Sequence, residues 1–143
     1  PTEEAVDQKI FELSREDPRY AYEAYEFVQE AVPFTQELLD RLPTEDDDPD
    51  ADYHVSGDEL VRGACELAVR EFGMMAPVVF RRWGLTTTDD FGHIVFALIG
   101  IEKLAKSDRD DPDDFHDLFD LEKVLAEGFA LTTRTPHAGG ADR

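Results

Sequence analysis

The sequence has almost no cysteine. Cys65 stands alone in 143 residues, which excludes an intramolecular disulfide framework. It shares an apolar helical face with Val61, Ala68 and Phe72, so it reads as core filler and not as a reactive thiol. Apolar runs are short, and none approaches the roughly 20 residues that span a bilayer. The opening PTEEAVDQ lacks the basic-then-apolar order of a secretory leader. These shortages predict a cytoplasmic protein with no membrane partner.

Basic residues are scarce as well, 14 against 34 acids, for a net charge of −20. The segment EDDDPDAD at 45–52 supplies six of the acids, so the rest of the chain still carries −14 and the excess is not confined to one tail. A surface so charged repels itself in dilute solution, whereas at about 1 M salt the screening length falls to roughly 3 Å. This balance points to a high-salt-adapted bacterium and weighs against nucleic acid as a partner.

Reactive constellations are also missing. Gly57, Gly63, Gly73, Gly84, Gly92 and Gly100 are spread singly, so there is no glycine-rich phosphate loop. Ser14, Ser56 and Ser107 sit in cap or loop contexts without a G-x-S-x-G turn. The histidines His54, His93, His116 and His137 form no H-E-x-x-H or other close ligand pair. No metal or cofactor is therefore expected, and an enzyme is unsupported.

What the chain does contain is helical periodicity. Val6, Ile10 and Leu13 mark a first helix over 3–15, and Asp17 with Pro18 reads as the cap and first position of a second. On a helical wheel Tyr20, Ala21, Ala24, Tyr25, Phe27, Val28, Ala31 and Val32 form one buried arc, with Tyr22 the one exposed ring, and Pro33 ends or kinks the helix. PTEDDDPDAD, 43–52, reads as a solvated acidic loop. HVSGDEL then has the S-x-x-E spacing of a capping box, Ser56 to Glu59, opening a helix over 57–72 that Gly73 stops.

The stretch VVFRRWGLTTTDDFGHIVF, 78–96, has the outline of a helix-turn-helix. A helix over 75–83, a turn at Gly84 and an almost wholly apolar helix opening at Thr87 or Thr88 are expected. His93, Ala97 and Gly100 are its only polar or small face. The even spacing of Phe115, Phe119 and Leu121 allows a strand paired with EKLAK, and equally a helical turn followed by a last helix over 120–127. The hairpin version would complete a winged helix. Its reading helix, however, would lead with Asp89 and Asp90 toward a row of phosphates, with only Arg62, Arg70, Arg81 and Arg82 in support.

The expectation is a mainly α domain over 1–129, a compact bundle of about five to six helices. Its C-terminal half is open to a winged-helix-like form with one short β-hairpin, and a flexible tail follows over 130–143. Trp83 reads as a core anchor beside Arg81 and Arg82, with an exposed interaction hot spot as the alternative.

The segments DPRYAYEAYEFV, HVSGDEL, AVREFG, RRWGLTTTDDFGHIVF and DDFHDLF, spread over residues 8–125, resemble the successive motifs of an uncharacterised family of small proteins from planctomycetes and verrucomicrobia. The resemblance implies no activity, substrate or cofactor. Among its motif residues Arg19, Tyr20 and Asp114, with His54 beside them, have the weakest structural explanations. Function by exclusion is then a non-enzymatic adaptor or small subunit that binds a protein partner, with a nucleic-acid-binding regulator as the alternative. The candidate interaction residues are Arg19, Tyr20, Tyr22, His54, Arg81, Arg82, Trp83 and Asp114. Two histidines and a carboxylate converging in a pocket would instead favour an enzyme.

Overall fold

The computed structural model describes residues 6–41, 54–105 and 111–134, apart from the side chains of 128–134. The acidic loop, the residues expected to open the first helix, His137 and the chain after 134 lie outside the described residues. Six α-helices follow one another: α1 Gln8–Glu16, α2 Tyr22–Leu38, α3 Gly57–Phe72, α4 Ala76–Trp83, α5 Thr88–Gly100 and α6 Leu121–Arg134. Short 3-10 turns at Gly73–Met75 and Pro112–Phe115 complete the order, and the described residues contain no strand. None of these helices is long and apolar enough to cross a membrane.

Helix α5 lies at the centre. Phe91, Ile94, Val95 and Leu98 are all buried, along with Gly92, as its apolar circumference requires. Helices α2 and α3 close over it. At their crossing Gly63 sits so near the Thr35 hydroxyl that a Cβ there would overlap it. Trp83 packs under the α4 turn, with ring centroids 5.4 Å from Phe27, 5.7 Å from Phe72 and 6.2 Å from Phe80. It is half-buried against the core, and Cys65 is buried on α3, its thiol pushed up to about 12 by that burial.

Four local expectations are corrected. Asp17 does not cap α2. It ends α1, and its carboxylate takes the Arg19 backbone N–H at 3.2 Å together with the Arg19 guanidinium, folding 17–20 into a turn before α2 starts at Tyr22. A short acidic side chain competes with the helix for that N–H, and here the turn wins. Tyr22 is half-buried rather than exposed, its hydroxyl accepting the Asp7 N–H at 2.7 Å. Helix α2 runs through the exposed Pro33 instead of stopping, since Ala31 and Thr35 on either side stay on the buried face.

The hairpin is the fourth. In place of a strand, 112–115 form a 3-10 turn, with the Asp111 carboxylate accepting the Asp113 N–H at 2.9 Å and Pro112 lacking a donor to pair. Phe115 and Leu121 fill the core, while the half-buried Phe119 lies under the Arg62 guanidinium at 4.7 Å. The wing has no counterpart among the described residues.

Candidate functional site

The opening turn of α5 is covered by two other segments. Thr88 is buried, donates its hydroxyl to the Phe115 carbonyl at 2.8 Å and accepts the Leu118 N–H at 3.1 Å, latching the Pro112–Phe115 turn to the helix. One turn on, Gly92 lets that segment come close: an added Cβ would be 3.0 Å from the Phe115 ring. The result brings His116 alongside the exposed face of α5, where His93 projects.

From the other side comes the 17–20 turn. Gly84, with φ +91, is pressed against the Arg19 carbonyl, and the Ala21 N–H donates to the Trp83 carbonyl at 3.1 Å. This seats Tyr20 on α5. Its phenol lies 2.5 Å from Asp90 Oδ1 and 2.7 Å from His93 Nδ1. Burial pushes the Asp90 carboxyl up. The bonds it accepts from Tyr20, from the Thr86 and Thr87 N–H groups and from the Thr86 hydroxyl together outweigh burial and leave it below its ordinary value. The Tyr20 phenol is driven far the other way, by burial first and then by the Asp90 carboxylate.

The two contacts of one phenolic oxygen, with these directions beside them, favour one placement of the protons. An ionised carboxylate can only accept, so the single phenolic proton goes to Asp90 and the Tyr20 oxygen must accept from His93 Nδ1–H. In the neutral imidazole that leaves the lone pair on Nε2. The other imidazole is anchored in the same sense. His116 Nδ1 lies 2.8 Å from Asp89 Oδ2, and Asp89 Oδ1 accepts the Asp117 N–H at 3.0 Å. The hydrogen bond to Asp89 raises the His116 pKa, and its partner's is correspondingly lowered.

Both histidines line one cleft of about 540 Å³. Its floor is Gly92, Phe96 and Ala97, one wall is Asp17 and Arg19, and the other is Pro112, Asp113 and His116. The Arg19 guanidinium grips Asp17 in a fork, with Nε at 2.9 Å and Nη2 at 2.7 Å, and lies 5.1 Å from the Tyr20 ring centre. Two of its five N–H donors are thereby taken within the protein. The volume falls in the range of small-molecule sites, roughly 300–1,000 Å³.

Of the residues marked from sequence, only Arg19 and Tyr20 belong to this cleft and its base. His54 and Asp114 meet elsewhere, at a smaller cavity of about 220 Å³ walled by Val32, Leu60, Val95, Ile99 and Leu104. Tyr22 braces α1, Trp83 is half-buried against the core, Arg81 pairs with Glu122 at 3.0 Å and Arg82 is exposed on α4. From the sequence Asp89 and Asp90 read only as the leading acids of α5 and His93 as a polar-edge residue, while His116 has no role assigned. The signal for one of them was present, because His93 is the polar member of the narrow face of α5.

Segments distant in sequence touch in relay around this cleft. Gly84 abuts Arg19, Tyr20 bonds Asp90, Gly92 receives Phe115, and Gly57 lies against Asp114, with an added Cβ 3.0 Å from its carbonyl oxygen. Among the described residues no three His, Cys, Asp or Glu side chains gather to hold a metal ion. No family model, no curated protein and no solved structure matches the chain.

Proposed function

We propose that this cleft is an acid–base site and that the protein is a small proton-transfer enzyme, in place of the adaptor reading. His93 Nε2 takes a proton from a bound small molecule, and His116, kept protonated to higher pH by Asp89, returns one. The observation that carries this is the anchoring of both imidazoles through Nδ1, one on Tyr20 and one on Asp89, around a shared cavity. No covalent step is included: Cys65 is buried in α3, and Ser14 and Ser56 do not line the cleft. A cytoplasmic, high-salt setting remains part of the proposal, supported by the acid excess and the lone buried cysteine.

A base-catalysed elimination tests it, with a nitrobenzisoxazole as a neutral probe of proton abstraction. Wild-type protein should saturate with the probe and exceed an equal concentration of free imidazole. His93→Ala should lower kcat/KM by about 10²-fold, at the low end of general-base effects, and His54→Ala should leave it unchanged. A rate no better than free imidazole, or one indifferent to His93→Ala, returns the protein to the adaptor reading.

That second reading is favoured by Met74 and Met75, 79% and 55% exposed on the turn beside Phe72. Methionines displayed in this way suit an adaptable protein contact. Nucleic acid is not the partner we propose. The first turn of α5 is occupied by Tyr20 and His116, and Arg62, Arg70 and Arg81 each face an acid, Asp58, Glu66 and Glu122.

A further inference from the structure

We infer that the cleft selects a small organic cation, an ammonium compound with a flat apolar body, over neutral or anionic molecules of the same shape. The inference rests on the acid–base reading of the same site. Four observations converge on it. The walls carry Asp17, Asp89 and Asp113 against Arg19 and the protonated His116 of the acid–base reading, so the lining is one charge negative, three carboxylates less two cations.

The one guanidinium is also paired. Its Nε and Nη2 are held by Asp17, so an incoming carboxylate or phosphate meets a cation whose charge a neighbouring carboxylate already balances. Asp89 is committed in turn, to His116 and the Asp117 N–H. Asp113 is different. It is exposed on the far wall, and no hydrogen bond to its carboxylate is found among the described residues. It is the group an ammonium can reach without breaking an existing pair.

The floor supplies the rest of the ligand's shape. Phe96 and Ala97 are half-buried side by side on α5, with the Phe96 ring held edge-on by Phe115 at 6.5 Å. An apolar ring or short chain can lie there while its charged end turns to Asp113, within reach of the two histidines that line the same space. The field of the whole molecule, net −20, acts in the same direction by drawing cations toward it and repelling anions.

The test uses three molecules of one size, benzylamine, benzyl alcohol and benzoate, titrated into the full chain while the imidazole NMR signals of His93 and His116 are followed. Benzylamine should shift both signals and bind at least about tenfold more tightly than benzyl alcohol, the equivalent of 1.4 kcal/mol, with benzoate weaker still. Asp113→Asn should remove most of that preference while leaving the alcohol's affinity alone. Because Asp113 is exposed, this variant keeps the fold. In molar KCl the preference should shrink but persist, since a direct ion contact is shorter than the screening length that abolishes long-range steering.

Benzyl alcohol or benzoate binding as well as benzylamine, with both histidine signals moving, would overturn the cation preference and leave the acid–base cleft standing. If none of the three molecules moves either signal, the cleft is no ligand site and both readings fall together.

Discussion

The Tyr20 hydroxyl stands between a carboxylate and an imidazole, 2.5 Å from Asp90 Oδ1 and 2.7 Å from His93 Nδ1. One proton cannot serve both neighbours, so the phenol donates to Asp90 and accepts from His93. Tyr20→Phe keeps the ring in its buried seat and removes both bonds. Hydrogen bonds to charged groups contribute roughly 1.5–3 kcal/mol each, so a loss of about 2 kcal/mol in unfolding free energy is expected by denaturant titration. The more telling readout is the nitrogen NMR of His93, which should move from the Nδ1–H tautomer toward a mixture. An unchanged tautomer ratio would mean that the assignment of protons given above is wrong.

His116 and Asp89 make a pH-dependent pair. The histidine's value in the folded chain lies above its ordinary 6.5, chiefly through the hydrogen bond to Asp89, with Asp117 and Asp113 adding to it. Its contribution is therefore complete below 6.5 and is lost as pH rises through the raised value. The carboxylate is shifted the other way, below 3.8, so its contribution is present above 3.8 and lost as pH falls through the lower value. The pair holds the Pro112–Phe115 segment most firmly between these limits. Asp89→Asn should bring the His116 titration midpoint down toward 6.5, read directly from its ring protons, while a midpoint that stays put would place the cause in Asp113 and Asp117 instead.

The helices were legible because their signals are local. The Ser56–Glu59 capping box is formed as its spacing requires, with the Glu59 N–H reaching Ser56 Oγ at 3.1 Å and the Ser56 N–H reaching Glu59 Oε1 at 3.0 Å. The apolar circumference of α5 likewise announced a central helix. The cleft was not legible, since its parts come from residues 17–20, 89–97 and 112–116, and only tertiary packing brings them together. Asp89 and Asp90 illustrate the difficulty. At a helix start two acids are sufficiently explained by the dipole, yet here each also holds a specific partner more than 25 residues away in sequence, as Asp89 does with His116 and Asp90 with Tyr20. The strand at 115–121 failed for a similar reason: alternate apolar residues also arise where a turn buries Phe115 and Leu121 and props Phe119 under Arg62.

Ser56→Ala tests a cap on which sequence and structure agree. It strips Oγ from the Glu59 N–H and should cost about 1 kcal/mol, the usual loss for such a cap. A further consequence follows from Arg41, whose Nη1 reaches both the His54 carbonyl at 2.9 Å and Glu59 Oε1 at 2.7 Å. Glu59→Gln should therefore be the more damaging change, because it weakens the capping box and the link from the end of α2 together. Equal melting temperatures for the two variants would show that the Arg41 contact adds nothing.

Gly84→Ala should reach the cleft from a distance. The position has φ +91, where any side chain is strained, and the new methyl would collide with the Arg19 carbonyl. Relief requires the 17–20 turn to move away from α4, carrying Tyr20 off Asp90. A loss of about 2–4 kcal/mol is expected, larger than for a glycine cap in open space. Gly73→Ala is the natural control, since it also has positive φ, +55, but meets nothing within 4 Å. Only the Gly84 variant should shift the His93 signal. If both glycine variants shift it, or neither does, the seating of Tyr20 does not depend on this contact.

Salt should stabilise this fold. Mutual repulsion among 34 acids opposes folding, and the ion pairs seen on the helices recover little of it. The exposed i,i+4 pairs Arg62–Asp58 and Arg70–Glu66 belong to a class worth a few tenths of a kcal/mol. Screening acts on the whole surface at once and weakens repulsion more than it weakens these few attractions, because the acids outnumber the bases 34 to 14. The melting temperature should accordingly rise from dilute buffer to molar KCl. NaCl should act like KCl at equal ionic strength if screening is the cause, whereas a response to one cation alone would point to specific binding. Equal midpoints in dilute and concentrated salt would remove the case for a high-salt environment.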